Sequence, residues 1–190
     1  YALDKKQNSE EIQFLLEEAV EKLLSFVNEG VPIRILGFPH HIVEILEAYY
    51  SRYGKVEFPP KSYILTGGGW KSFSRSSKEK FNQWKFLESI TNIPLENVRD
   101  VYSLVEHGIT YLECEKHNKH IPNIALACAR DPRSLLRLPS GEMGLIHLYT
   151  PIIESYPSLS ILTTDYGVIS ESCPCAIGGP YLTITGRATL

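Results

Sequence analysis

Apolar residues recur at helical spacing at Ile12, Leu15, Leu16, Ala19, Leu23, Leu24 and Val27, and the run closes at Gly30. That period predicts an amphipathic helix ending on a glycine cap. Asn8 and Ser9 stand as N-caps, with Glu11 where a capping-box acid belongs. Pro32 to Leu36 then reads as a short buried strand. Gly37-Phe38-Pro39 turns the chain into a second helix running to Tyr50 or Tyr53, stopped by Gly54. Lys61 to Leu65 is another apolar strand. Ser76 or Ser77 caps a third helix with Phe81, Trp84, Phe86 and Leu87 on its apolar face, Pro94 follows its end, and Val98 to Val101 is strand-like. Strands alternating with helices predict a parallel sheet with right-handed crossovers.

Past Tyr102 the pattern changes. Ile109 to Leu112, Ile124 to Ala129, Met143 to Tyr149, Ser160 to Thr163 and Tyr181 to Ile184 read as strands separated by Pro, Gly and Asp, with no long helix among them. The expected fold is therefore α/β: a parallel sheet flanked by helices over residues 1–102, followed by a β-rich portion over residues 103–190.

Composition narrows the function. With 190 residues, 43% hydrophobic and 22% charged, the chain has ordinary globular make-up. Lys and Arg number 19 against 22 Asp and Glu, for a net charge of −3, so there is no basic footprint for nucleic acid. No apolar run approaches the roughly 20 residues that a membrane helix needs, and the polar start is no signal peptide. A soluble, cytoplasmic protein is expected.

Several stretches carry candidate chemistry. Thr66, Gly67, Gly68 and Gly69 follow a strand, placing unobstructed backbone where open α/β sheets bind ligands. The context of Lys71 is not that of a Walker loop. Glu106 offers an oxygen ligand for a hard cation just past a strand, and Asp165 in Thr164-Asp165-Tyr166-Gly167 stands at the end of the run Leu159 to Leu162. Cys114, His117, His120, Cys173 and Cys175 offer the thiolates and imidazoles that suit tetrahedral zinc. Cys128, in an apolar run, reads as a small buried hydrophobe. His40 and His41 sit where a strand feeds a helix.

Taken in order, Thr66-Gly67-Gly68-Gly69-Trp70-Lys71, Tyr102 to Glu106, Thr164-Asp165-Tyr166-Gly167 and Gly186-Arg187 resemble the nucleotide-handling motifs of adenylate-forming enzymes. Within that superfamily the chain looks most like the acyl-protein synthetase, LuxE-like branch, and Tyr156-Pro157 and Glu142-Met143-Gly144 add to the likeness. The resemblance implies the incomplete large domain of such an enzyme, using ATP and Mg²⁺ to activate a carboxylic acid, fatty or aryl, as acyl-AMP and pass it to a thiol acceptor.

On that resemblance Thr66, Gly67, Gly68 and Gly69 lie against adenine, and Tyr102 stacks on it. Glu106 holds Mg²⁺ directly or through water, Asp165 accepts the ribose hydroxyls, and Arg187, at the hinge to a small mobile domain, reaches ribose or phosphate. Glu106 and Arg187 are thereby the catalytic candidates. Ser103 departs from the glycine common in relatives. The phosphate loop would lie upstream, while the catalytic lysine and acceptor cysteine would lie beyond Arg187, so the fragment alone is expected to be inactive.

Phenylacetate-CoA ligase-like relatives show a similar Cys, His, Cys-x-Cys arrangement, which implies zinc on Cys114, His120, Cys173 and Cys175. The resemblance also implies acyl reductase and acyl transferase partners. Two alternatives stand beside this reading: a phenylacetate-type acyl- or aryl-CoA ligase, and a non-catalytic, zinc-stapled interaction module.

Overall fold

The fold was derived from a computed structural model, which describes residues 3–5, 12–68, 77–154 and 158–188. The chain divides into two compact units, Tyr1–Val98 and Arg99–Leu190.

The first unit begins with a pair of three-residue antiparallel strands, β1 (Leu3–Lys5) and β2 (Ile12–Phe14). Helix α1 spans Leu16–Glu29, so the helix predicted from Asn8 onward starts later than expected, and Asn8, Ser9 and Glu11 lie outside the described residues. Ile-Gln-Phe alternates as a strand does, and the ladder to Leu3–Lys5 supplies backbone partners that a longer helix would have supplied locally. Glu17 and Glu18 favour the helix start electrostatically, and Gly30 takes the left-handed C-cap at φ 70°.

Strand β3 (Arg34–Gly37) leads into α2 (Pro39–Tyr53), where proline occupies the first turn and Gly54 follows the end as predicted. Strand β4 (Tyr63–Thr66) pairs with β3 in parallel, Arg34 opposite Tyr63 through Gly37 opposite Thr66. This strand–helix–strand unit is the expected parallel arrangement. Helix α3 (Ser77–Ile90) follows. Its core contacts come from Leu87 and Ile90, with Trp84 packed alongside, whereas Phe86, expected on the apolar face, is exposed. Leu87 and Phe86 are adjacent and point about 100° apart on a helix, so only one of them can face the core. That core joins Val20, Leu23, Ile42, Leu46, Tyr49, Val56 and Ile64.

The second unit is β-rich. Strand β5 (Val98–Ser103) runs into it and pairs antiparallel with β6 (Thr110–Leu112), Tyr102 opposite Tyr111. Then come β7 (Lys119–His120), β8 (Leu126–Arg130), β9 (Met143–Tyr149), β10 (Ser160–Ser170) and β11 (Tyr181–Arg187). They form one antiparallel sheet in the order β7-β11-β10-β9-β8. Its packed face carries Ile146, Leu148 and Leu182, joined by Ile109 and Tyr111.

One expectation fails here with consequence. The strand predicted to end at Thr163 continues to Ser170, so Thr164-Asp165-Tyr166-Gly167 is not a turn but the middle of an 11-residue strand. The Asp and Gly that look like a turn mark a bulge instead: register slips between Leu162 and Tyr166 against β9 and between Tyr166 and Gly167 against β11. Gly186-Arg187, expected as a hinge, is the paired end of β11.

Gly167 packs so closely that an added Cβ would fall on the Thr183 carbonyl and the Ile146 side chain. Gly167→Ala is therefore expected to destabilise the protein by about 1–3 kcal/mol through overpacking. The check is the urea midpoint, and an unchanged midpoint would contradict the packing described.

Candidate functional site

Asp165 is the buried centre of the first candidate site. On β9 the partner of Leu162 is His147 and that of Tyr166 is Leu145, so Thr163, Thr164 and Asp165 all lie opposite the single residue Ile146. Thr163 fills the gap this leaves in the ladder. Its Oγ1 donates to the Ile146 carbonyl at 2.9 Å and accepts the Asp165 amide at 3.1 Å. Asp165 lies on the same buried face of β10 as Thr163 and Gly167 and is 7% exposed.

A carboxylate so placed needs partners. Tyr102, from β5, donates its hydroxyl to Asp165 Oδ2 at 2.8 Å, and Arg187, opposite Asp165 on β11, donates Nε to Oδ1 at 3.2 Å. Burial first, and then the bond and charge of Asp165, raise the Tyr102 phenol well above its ordinary pKa, so it remains a donor. The Arg187 side chain is 69% exposed, which makes its ion pair a weak source of stability.

Glu106 stands apart from this group. It lies in the turn after β5, exposed, with no hydrogen bond or ion pair among the described residues. The next residue anchors that turn from within. His107 is fully buried, its amide donates to the Leu104 carbonyl at 3.0 Å, and its Nε2 lies 2.7 Å from the Tyr111 hydroxyl. The two rings stack at 5.8 Å, and Tyr111 in turn neighbours the Tyr102 ring at 6.0 Å. His107 Nδ1 is buried without a partner among the described residues. Sequence reasoning missed both Thr163 and His107. The Glu-His dipeptide was visible, but nothing in it tells which side chain turns inward.

The glycine stretch belongs to the first unit. Thr66 ends β4 and is buried, and Gly67 donates its amide to the Gly37 carbonyl at 3.2 Å. Gly68 adopts φ +79° with the Phe38 ring lying against it, so close that any Cβ would collide. The close approach of Phe38 is itself a reason for glycine there. Gly69, Trp70, Lys71 and the Tyr156-Pro157 pair lie outside the described residues. His40 and His41 share the first turn of α2 with ring centroids 4.1 Å apart, and His40 is held below its ordinary pKa by burial and then by His41.

The stretch leading through β7 and the Cys-Pro-Cys loop before β11 build the second candidate site. Cys114, His120, Cys173 and Cys175 bring one ligand atom each to within 4.8 Å of one another, and the three cysteines are buried. Cys114 and Cys173 sulfurs lie 3.8 Å apart, and Cys175 Sγ lies 3.2 Å from His120 Nε2. Two thiolates on one tetrahedral zinc, each at about 2.3 Å, would be about 3.8 Å apart. That spacing far exceeds a disulfide bond, and all four cysteines of the chain are free thiols. The donor set thus fits a closed zinc site. Lys116 N donates to Cys114 Sγ at 3.3 Å and Asn118 Nδ2 to Cys173 Sγ at 3.2 Å; burial nevertheless keeps the Cys114 thiol above its ordinary pKa, whereas for Cys173 burial is outweighed by its hydrogen bonds, Asn118 foremost, and its pKa falls.

His117, the other histidine of this stretch, turns away. With φ 57° its Nδ1 meets Glu113 Oε2 at 3.2 Å. Glu113 also receives the Asp100 amide at 2.8 Å and Lys119 Nζ at 2.6 Å, and Lys119 lies 3.2 Å from Asp100. Burial works against both charges. For Glu113 it is outweighed by the bonds from His117 and Lys119, so its pKa falls; for Lys119 it is outweighed by the charges of Glu113 and Asp100, so its pKa rises. This buried pair joins the residue before Cys114 to the residue before His120, and so fixes the spacing of the two ligand-bearing positions.

A further polar network, also missed, covers the outer face of the antiparallel sheet. Arg130 Nε donates to His147 Nδ1 at 2.5 Å, Arg130 NH2 donates to the Tyr149 hydroxyl at 2.7 Å, and His147 Nε2 lies 2.7 Å from Ser160 Oγ. Because Nδ1 accepts from the guanidinium, Nε2 carries the proton and points it at Ser160. The histidine is thus not arranged to draw a proton from that serine.

The fold is that of the adenylate-forming enzymes. A long-chain-fatty-acid-CoA ligase from Archaeoglobus fulgidus superposes with a TM-score of 0.62 at 13% identity, over 93% of this chain and 38% of that one. The sequence narrows the class, because the family description "Acyl-protein synthetase, LuxE" matches residues 1–190, and the chain belongs to that family. The long-chain-fatty-acid–luciferin-component ligase of Aliivibrio fischeri is 30% identical over 159 residues, covering 82% of this chain and 41% of that protein. Its counterpart in Vibrio harveyi is 29% identical over 165 residues, covering 85% and 42%. The chain therefore spans about two fifths of the length of these curated relatives. Among the described residues, no helix is long and apolar enough to cross a membrane.

The buried neutral His107 has a consequence for pH. Burial lowers its pKa from 6.5, so as acid is added the unfolded chain takes up this proton before the folded one. The stability it protects is intact above about pH 6.5 and is lost as pH falls from there toward the folded-state value. His40 and His147 are shifted in the same direction, so His107→Phe should flatten the stability–pH slope below pH 6.5 by up to about one proton without abolishing it. Denaturant titrations at stepped pH check this, and an unchanged slope would contradict it.

Proposed function

We propose that this chain is the nucleotide-binding part of an ATP-dependent acid–thiol ligase that activates a fatty acid as acyl-AMP and transfers it to a thiol. The observation that carries this reading is the convergence of Tyr102, Asp165 and Arg187 from three strands on one buried carboxylate. Family membership and the adenylate-forming fold support it, and the names of the two bacterial relatives support a long-chain acid.

In the first step a carboxylate oxygen of the acid attacks the α-phosphorus of ATP. The bond to the bridging oxygen breaks, and pyrophosphate leaves with its electron pair. In the second step a thiolate attacks the acyl carbonyl and AMP departs. Charge on phosphoryl oxygens dominates the first barrier, so placement and electrostatics carry the rate. Asp165 would accept the ribose hydroxyls, Arg187 would reach ribose or phosphate, and the Tyr102 ring would lie against adenine. Glu106, exposed and uncommitted, would hold Mg²⁺, which supplies phosphate charge neutralisation when bound and commonly takes only one or two protein carboxylates.

Cys114, His120, Cys173 and Cys175 would hold zinc as a closed, structural site. This leaves the acceptor thiol elsewhere. Three of the four cysteines belong to that cluster and Cys128 is buried, so the acyl group would go to a cysteine outside these 190 residues or to coenzyme A.

Asp165→Ala is expected to weaken Mg·ATP binding at least about tenfold, from loss of charge-assisted hydrogen bonds to ribose. Calorimetric titration measures it, and equal affinity in the variant would remove the nucleotide reading. Metal analysis is expected to return about one zinc per chain, with Cys175→Ser losing the metal and melting at a lower temperature. Metal-free protein of equal stability would refute the zinc site.

A further inference from the structure

Resting on the nucleotide reading above, we infer that Tyr102 is a positioning residue for sugar recognition: its hydroxyl orients the Asp165 carboxylate so that this carboxylate accepts a vicinal diol. The argument begins from what Asp165 has left to offer. A carboxylate has about four acceptor sites, two on each oxygen. Tyr102 occupies one on Oδ2 at 2.8 Å, and Arg187 occupies one on Oδ1 at 3.2 Å. One site remains on each oxygen, and a diol with adjacent hydroxyls presents two donors to match.

The two in-chain partners are unequal in their grip. Arg187 approaches from an exposed side chain through a longer bond. Tyr102 is half-buried, its ring lies 6.0 Å from that of fully buried Tyr111, and its phenol is held protonated, so its hydroxyl is the fixed reference. Thr163 completes the support by holding the Asp165 amide. A residue that only stacks its ring on a base has no use for such a bond. The hydroxyl therefore does separate work from the ring: the ring contributes to base affinity, and the hydroxyl to discrimination between ribose and deoxyribose.

The test compares ATP with 2′-deoxy-ATP and 3′-deoxy-ATP, in Mg²⁺, on the longest natural polypeptide that contains this chain, for the unaltered protein and for Tyr102→Phe, Tyr102→Ala and Asp165→Asn. The readout is the ratio of dissociation constants within each protein. Incomplete folding scales both constants of a variant alike and leaves its ratio unchanged. The unaltered protein is expected to prefer ATP by about tenfold or more. Tyr102→Phe is expected to bring that ratio below about threefold while binding the deoxynucleotides nearly as tightly as before, whereas Tyr102→Ala weakens all three nucleotides as well.

If Tyr102→Phe keeps the full ratio while Asp165→Asn loses it, the positioning role is overturned and the ribose assignment of Asp165 stands. If the unaltered protein shows no preference and Asp165→Asn binds ATP normally, the ribose assignment falls and the inference falls with it.

Discussion

The buried Asp165 carboxylate, set within the register slip of β10, is the constraint from which the candidate nucleotide site follows. Three residues set against one on β9 leave ladder groups that need other partners, and Thr163 provides them with a single hydroxyl. Asp165 shares the buried face of β10 with Thr163 and Gly167, so the acid points into the packed side of the strand. A buried carboxylate cannot be left alone. It is held by Tyr102 from β5 and Arg187 from β11, so three strands that are distant in sequence are tied at one atom group.

The Cys/His cluster rests on a different device. Its ligands come from a stretch around β7 and from the Cys-Pro-Cys loop before β11, and neither carries a helix to stiffen it. Rigidity comes from the buried pair of Glu113 and Lys119, which flanks Cys114 and His120 and is closed by Asp100 and His117. Buried ion pairs contribute little net stability, but breaking one leaves an uncompensated charge. The pair is therefore better read as fixing geometry than as adding stability. Both candidate sites share this logic, in which a buried charge is tolerated because its partners specify one arrangement.

Much of the first unit was legible along the chain. Pro39 at a helix start and Gly30 and Gly54 at helix ends act within one turn, so their effect needs no knowledge of the rest of the fold. Ile12 was misassigned because its spacing to Leu15 and Leu16 satisfies a helix, while its alternation with Phe14 satisfies a strand; only pairing with Leu3–Lys5 separates the two. Phe86 and Leu87 show the same limit at the level of a single face. In the second unit the positions of β8, β9 and β11 were visible as apolar runs, but the continuation of β10 through Asp165 and Gly167 was not. Those residues favour turns locally, and cross-strand partners on both sides override that preference.

By itself the sequence determined the alternation of strands and helices, the change to β structure near Tyr102, the family, and which residue types carry chemistry: a thiolate–imidazole set, one acid per motif, one terminal arginine. Each of these is written in local spacing or in the identity of side chains. Only the tertiary structure decided which of them meet. It selected His120 and turned His117 toward Glu113, joined Tyr102 and Arg187 through Asp165 while leaving Glu106 in solvent, and buried His107 beneath the turn that bears it. Such choices depend on register and burial, which the packing of the whole unit sets and which have no signature in a local pattern.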